Sequence, residues 1–174
     1  MGKGRRYGKY SETKRTVPRD WERITLRQAI GADTEFIRRL SQKVFHVYGP
    51  YEEMLPRWFE SGITVTILAS TEKKPVGFAM LGRPSEGWHF DLTGELLAIA
   101  VEPESHNMGI GDLLMEEIIT RAEKLHTEKL ILHTAPENHS AKKLFQKHGF
   151  VLWKVKKEFY PEGQDALLMK RSRP

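Results

Sequence analysis

The chain has 174 residues, of which 39% are hydrophobic and 10% aromatic, and this size and composition predict one globular domain with its own core. It contains no cysteine, which excludes disulfides, thiolate metal sites and a cysteine nucleophile. No apolar run approaches the roughly 20 residues that a transmembrane helix needs. No apolar segment follows the N-terminal charges as in a secretory signal, so we expect a cytoplasmic protein with no membrane contact.

The net charge of +5 is concentrated at the N-terminus. Residues 1–20 hold seven basic and two acidic side chains, so acidic and basic residues balance in the rest of the chain. Glycines and few apolar residues predict that residues 1–22 form a flexible basic tail and that 23–174 form the domain. Tyr7 and Tyr10 among the basic residues suit contact with nucleic acid or the ribosome, and a solubilising tail is the alternative.

Strands and helices alternate along the first half of the domain. A polar break between two apolar runs indicates a hairpin, and apolar residues at helical spacing after Pro50 indicate a helix that Pro56 kinks or divides. The predicted elements are a strand 24–30, a turn and helix cap 31–33, a helix 34–45, a helix from about residue 50, and hairpin strands 63–69 and 76–81.

The most informative segment is 95–114, where an apolar strand leads through a glycine-containing turn into an amphipathic helix. The strand covers 96–101, and apolar residues recur at a period near 3.6 from Ile110 onwards. Gly109 and Gly111 allow the backbone to approach a ligand, while unpaired N–H groups and the helix dipole attract a diphosphate. Taken alone, a glycine pair of this kind more often marks a tight connection than a ligand site.

The next segment with a recognisable pattern is a short capped helix. Asn138 is a suitable N-cap, and Gly149 supplies the left-handed residue that ends the helix before Phe150. By itself this pattern fits any capped helix. The other elements predicted for the second half are strands 129–133, 151–158 and 166–169.

Together, the two segments resemble motifs of the GNAT N-acetyltransferase superfamily, and the pattern is most similar to the ribosomal-protein-alanine and N-terminal acetyltransferases. Residues 106–111 resemble the signature Q/R-x-x-G-x-G/A, with His106 in place of Gln or Arg. Residues 138–150 resemble N-x-x-A-x-x-x-Y-x-x-x-G-F. The resemblance implies an α/β fold with a mixed, twisted sheet of about seven strands flanked by about four helices. It also implies acetyl-CoA as cosubstrate and no metal.

The resemblance further implies which residues hold the cofactor, mainly through backbone groups. Phe145 stands where many members have the tyrosine that protonates the departing CoA thiolate. The proton then comes from Tyr160, Ser140 or water, or no dedicated acid is needed, or activity is lost; we favour the second of these three. The predicted cofactor-binding residues are Ile99, Ala100, Val101, His106, Asn107, Met108, Gly109, Ile110, Gly111, Asp112, Asn138, Ala141 and Phe145.

Three residues are candidates for catalysis, because an amine attacks a thioester only when it is neutral and so needs a base or a desolvating channel. Glu95 matches the offset of the general base in the histone acetyltransferase branch, and its alternative is a strand-end residue that faces solvent. His133 can accept a proton at neutral pH, and its alternative is a half-buried strand residue. Tyr160 lies where N-terminal acetyltransferases grip a peptide, and its alternative is packing on the core.

The resemblance predicts direct acetyl transfer to a primary amine. A protein or peptide amine, either an N-terminal α-amine or a lysine, is favoured over a polyamine, antibiotic or amino-acid derivative. Trp58, Phe59, Trp88, His89 and Asp91 are possible lining residues of the acceptor channel. The alternative of another class is a non-catalytic acyl-CoA-binding module, and either a monomer or a homodimer is compatible with the sequence.

Overall fold

The computed structural model of the protein describes residues 24–72, 74–83 and 92–172. The predicted N-terminal tail and Trp88, His89 and Asp91 lie outside these ranges. The strands are β1 Thr25–Gln28, β2 Val65–Ser70, β3 Pro75–Gly82, β4 Thr93–Val101, β5 Lys129–Thr134, β6 Val151–Lys156 and β7 Ala166–Ser172. The helices are α1 Thr34–Phe45, α2 Tyr51–Glu60, α3 Ile110–Lys124 and α4 His139–Lys147. Within the described ranges, no helix is long and apolar enough to cross a membrane.

All seven strands form one mixed sheet in the order β1-β2-β3-β4-β5-β7-β6. Among the described strands, only β4 and β5 pair in parallel, and their pairing runs from Thr93–Lys129 to Leu96–Leu132 and stops there. Beyond this point β4 continues to Val101 without β5 beside it. The predicted mixed α/β fold is confirmed, and the sheet contains a fork between its two central strands.

Helices cover the sheet on both faces, and each face has its own core. The apolar stripe of α3, including Leu114 and Ile118, packs with Phe145 of α4 against one face. On the other face, Leu40 of α1 and Leu55 of α2 pack against β2, β3 and β4. The fork between β4 and β5 therefore lies between two helical layers.

Two local predictions for the first helices agree with the structure only in part, since Asp33 is the N-cap residue of α1 and Pro56 lies inside a continuous helix. Asp33 does not cap α1 through its side chain, because its carboxylate accepts hydrogen bonds from Arg27 at 2.7 and 2.8 Å and from the Ile30 amide at 2.8 Å. Pro56 does not divide the second helix, since α2 runs through it.

The predictions for the second half of the domain agree better with the structure. The Asn138 side chain accepts a hydrogen bond from the Ala141 amide at 3.1 Å and so caps α4 as predicted. Gly149 has φ of +82° and ends that helix, also as predicted. This side-chain cap and this left-handed glycine define the two ends of the helix that follows β5.

Candidate active site

A cavity of about 680 Å³ lies where β4 and β5 part. Its central walls are residues 95–99 of β4 and 132–134 of β5, and its remaining walls come from α1, α2, α4 and the β6–β7 loop. Most lining side chains are apolar or aromatic, and the polar ones include Glu95, His133, Arg83 and the hydroxyls of Tyr48, Tyr51 and Tyr160. This is the geometry of a ligand pocket with a few polar groups in a largely apolar wall.

Glu95 and His133, predicted as separate candidates, are in direct contact. His133 Nδ1 lies 2.9 Å from Glu95 Oε1, and the two side chains are only 10% and 13% exposed. The alternative of a solvent-facing Glu95 at a strand end is therefore wrong. Register explains the contact, because Glu95 is opposite Ile131 in β5 and His133 follows two residues later on the same face.

Hydrogen bonding defines the proton arrangement of this pair. An ionised carboxylate can only accept, so Nδ1 is the donor in this hydrogen bond, and in the neutral imidazole Nε2 then keeps its lone pair. His133 Nε2 is buried and has no hydrogen-bond partner in the described part of the chain. The pair therefore places an unused proton acceptor in a nearly dry environment.

Two loops meet over the cavity. Tyr48, in the loop between α1 and α2, packs against Tyr160 of the β6–β7 loop, with ring centroids 4.9 Å apart and the rings tilted by 37°. Gln164 Nε2 donates to the Val47 carbonyl at 2.5 Å. Gly49 has φ of +138°, and a Cβ there would lie 2.7 Å from Pro161, so the contact requires glycine. Tyr48, Tyr160 and Pro161 line the cavity, so the two joined loops bound it on one side.

Phe159, in the β6–β7 loop, contacts the candidate catalytic residue His133. Its ring is stacked on the His133 imidazole, with centroids 4.2 Å apart and an interplanar angle of 11°. The stacking fixes the orientation of the imidazole in addition to the hydrogen bond from Nδ1.

Tyr160 is both a cavity-lining residue and a packed residue, since it is buried and contacts Ala135 and Ala166. Burial raises the pKa of the Tyr160 hydroxyl well above its ordinary value, with the nearby Tyr51 and Tyr48 as further causes. Burial and then the Glu95 carboxylate raise the pKa of Tyr51 to about 12. Both phenols are thus neutral at physiological pH, and neither is a base.

The predicted cofactor strand has one irregularity. Its register with β3 shifts so that Leu97 is an extra residue between the pairs Met80–Ala98 and Leu81–Leu96. From there, residues 99–101 of β4 pair with β3 on one edge and face the fork on the other. The His106 ring donates through Nε2 to the Val101 carbonyl at 3.0 Å. This hydrogen bond joins two residues that were predicted to contact the cofactor.

The turn before α3 presents backbone donors at its surface. Asn107 and Gly109 have φ of +61° and +76°, and the first amide of this region to find a partner is that of Leu113, which donates to Gly109 at 3.1 Å. Within the described ranges, the amides of residues 107–112 have no hydrogen-bond acceptor. Consecutive free amides at the start of a 15-residue helix form a site that suits a diphosphate.

Asp112, in the first turn of α3, does not oppose an anion at this site. Its carboxylate is bound by Lys147 at 2.8 Å and by His148 at 2.9 Å, both at the end of α4. The hydrogen bond from Lys147 lowers the pKa of Asp112, and His148 adds to this effect. The carboxylate is neutralised by its partners while the Asp112 amide stays free.

The predicted α4 residues lie at the cavity. Asn138, Ala141 and Phe145 all line it, whereas Ser140 is exposed and does not. The Phe145 ring packs against Phe150 and offers no proton donor. Within the described ranges there is also no group of three or more histidine or acidic side chains that could hold a metal ion.

Comparison with known proteins identifies the family. The model of the acetyltransferase (GNAT) family matches residues 34–150. An N-alpha-acetyltransferase of Saccharolobus solfataricus is 27% identical over 158 residues, covering 85% of this chain and 92% of that protein. Ard1 from Thermoplasma volcanium superposes with a TM-score of 0.73 at 20% identity, covering 87% of this chain and 98% of that one. A GNAT acetyltransferase from Elizabethkingia anophelis, solved with acetyl-CoA bound, gives a TM-score of 0.71 at 24% identity, covering 87% and 99%.

The chain belongs to the acetyltransferase (GNAT) family, as predicted, because the family model covers more than half of it. It is an acetyl-CoA-dependent acetyltransferase. The likeness to the solved structures adds support for the fold.

Proposed function

We propose that the protein transfers the acetyl group of acetyl-CoA to the α-amine at the start of a polypeptide, by direct attack in a ternary complex. The observation that supports this most is the contacting Glu95–His133 pair, which lines a cavity that two joined loops bound on one side. The N-alpha-acetyltransferase relative from Saccharolobus solfataricus, similar over most of both chains, supports the same acceptor.

We assign cofactor binding to the turn before α3 and to the exposed edge of β4. The free amides of residues 107–112 suit the diphosphate, and the backbone of residues 99–101 suits the amides of the pantetheine arm. This arm would then run along the fork towards Glu95 and His133. Phe145 and Ala141 provide an apolar wall for it.

We assign the acceptance of the amine proton to the Glu95–His133 pair. The amine nitrogen attacks the thioester carbon, the C–S bond breaks, and CoA leaves as a thiolate while the nitrogen proton passes to the pair, directly or through one water. Glu95 holds His133 with Nδ1 protonated and stabilises the imidazolium that forms. The neutral Tyr51 and Tyr160 hydroxyls serve to position the acceptor.

The two loops that bound the cavity favour the end of a chain over an internal lysine. The contacts from Tyr48 to Tyr160 and from Val47 to Gln164 join the two loops over the acceptor side. A terminal α-amine also suits the chemistry, because its pKa of about 8 lies closer to neutrality than the roughly 10.4 of a lysine amine. The second candidate is a small amine, which the apolar wall at Met54 and Trp58 would also accommodate.

Release of free CoA thiol distinguishes these acceptors. Peptides with a randomised first residue and no lysine are compared with the same peptides carrying a blocked N-terminus and one internal lysine, and with spermidine and free amino acids. We expect thiol release with the free N-termini and acetate on the first residue by mass spectrometry. Turnover confined to the lysine peptides or to the small amines would overturn the proposed acceptor.

A further inference from the structure

Besides the catalytic pair, the face of the sheet that bears His133 carries a group of lysines. Opposite residues on paired strands share a face, and His133 is opposite Leu168, which is opposite Lys154 of β6. In the next row, Ile131 is opposite Lys170. Lys156, two positions after Lys154, lies on the same face. We call Lys154, Lys156 and Lys170 the basic face.

Aromatic rings hold these lysines in place. The ammonium groups of Lys154 and Lys170 lie 4.9 and 4.8 Å from the centre of the Trp153 ring. The Lys156 ammonium lies 5.1 Å from the Phe159 ring, the same ring that stacks on His133. Such cation–π contacts restrict the side chains without neutralising their charge. The basic face is therefore partly ordered before any partner binds.

The charge of this face is not neutralised within the described part of the chain. No carboxylate there lies within ion-pair distance of Lys154, Lys156 or Lys170, whereas the neighbouring Lys157 and Arg171 pair with Asp165 and Glu123. Lys154 and Lys170 are diagonal neighbours on adjacent strands, so their like charges repel each other without being directly opposite. An anionic partner that bound these three lysines would relieve the repulsion among their charges.

We propose that the acceptor polypeptide carries acidic side chains a few residues after its N-terminus and that these bind the basic face. This inference rests on the proposed function, since the acceptor is taken to enter past Phe159 towards His133. Strands in a sheet are about 4.8 Å apart, so Lys154 lies roughly 10 Å from His133 across two strand spacings. An extended chain advances about 3.3 Å per residue, which places the acidic side chains near positions three to six.

The test compares two peptide pools with randomised first and second residues. One pool continues with glutamates at positions three to six, and the other has glutamines there, so that size is kept and only charge differs. We expect kcat/KM to be about five-fold higher for the acidic pool at low ionic strength, as two or three exposed charge contacts would give. The preference should disappear near 1 M salt, where charges are screened within about 3 Å.

Charge reversal assigns the preference to the basic face. Lys154→Glu and Lys170→Glu should each abolish the preference for the acidic pool and leave kcat/KM for the glutamine pool unchanged. Lys124→Glu, a reversal at the exposed C-terminal end of α3, is the matched control and should keep the preference. Lys154→Gln gives a milder version should a reversed variant fold poorly.

The outcomes separate this inference from the proposed function. Turnover of both pools at equal rates in the unmodified protein, or a preference that survives both reversals, would overturn the basic face as an acceptor site. Loss of single-stranded RNA binding in the two variants with no change in peptide preference would also overturn it, in favour of a nucleic-acid surface. Absence of turnover with any peptide, alongside turnover of a small amine, would instead refute the peptide acceptor.

Discussion

Replacement of Glu95 by glutamine tests the proposed catalytic pair most directly. The amide keeps the size of the side chain, and its oxygen can still accept the hydrogen bond that Glu95 Oε1 receives from His133 Nδ1 at 2.9 Å. What disappears is the negative charge beside a nearly buried imidazole. The change therefore removes the stabilisation of the imidazolium while leaving its orientation in place.

The expected loss follows from the role of a general base. Such groups contribute about 10²- to 10⁴-fold to rate, and a base that acts through a water belongs at the lower limit, so kcat/KM at pH 7 should fall about 100-fold. That loss corresponds to about 2.7 kcal/mol of transition-state stabilisation. An α-amine with a pKa of about 8 is roughly one-tenth neutral at pH 7 and nine-tenths neutral at pH 9. The variant should consequently recover about ten-fold between these pH values, because its rate follows the titration of the amine.

The assay is thiol release from acetyl-CoA with one N-terminal peptide, measured from pH 6 to 9.5. Glu137→Gln is the matched control, because this exposed carboxylate lies near Tyr48 and Tyr160 but does not line the cavity. Unfolding temperature and acetyl-CoA affinity verify that each variant is intact. A Glu95→Gln enzyme within three-fold of the unmodified one at pH 7, with the same pH profile, would refute the role given to Glu95.

Three further predictions concern the cofactor turn, the fold and the leaving group. Gly109→Ala should weaken acetyl-CoA binding about five-fold in calorimetry, because a side chain at φ of +76° costs about 1 kcal/mol and the turn shifts to relieve it. Gly62→Ala is the control: its φ is +72° and an added Cβ there also meets no atom within 4 Å, but the affinity should not change. Asp33→Asn should lower the free energy of unfolding by about 2 kcal/mol at pH 7, because Arg27 lowers the pKa of this carboxyl below 3.8. The difference between the two proteins should close when denaturation is repeated at pH values falling through that lowered pKa, since the carboxyl then becomes neutral. Tyr160→Phe should change kcat less than three-fold, since this phenol has a raised pKa and a thiolate leaves without a dedicated acid; a 100-fold loss would show that it protonates CoA.

Local signals in the sequence predicted most of the fold. The glycine at 149 and the asparagine at 138 specify the ends of α4 through their own backbone and side-chain chemistry, and both act as predicted. The hairpin and the cofactor strand were placed within a few residues of their observed bounds, because apolar runs separated by polar or glycine-containing breaks leave few other assignments. Asp33 is at the N-cap of α1 as predicted, but its side chain makes no capping bond, because Arg27, six residues earlier, binds the same carboxylate.

The centre of the site could not be predicted in the same way. Glu95 and His133 are 38 residues apart, and their contact depends on the register between two strands that α3 separates in sequence. The closure between Tyr48 and Tyr160 is a contact across 112 residues and depends on β7 lying between β5 and β6. Periodicity indicates which face a side chain occupies, but not which residue of another strand lies opposite.

The fork between β4 and β5 explains why cofactor binding and proton transfer occur at one place. Leu97 is the extra residue of β4, and it lies directly after Leu96, where pairing with β5 ends. On one side of this point, Glu95 is held beside His133 by the paired part of the strands; on the other, residues 99–101 are left with an edge that faces no strand. Gly82 of β3 provides the space for Leu97, since a Cβ there would lie 2.5 Å from the Leu97 side chain. Unpaired backbone groups at a partly buried strand edge cost free energy when no ligand binds them. The separation of β4 from β5 opens the cavity and also leaves these groups unpaired. A pantetheine arm would supply their hydrogen bonds, next to the pair that would accept the proton.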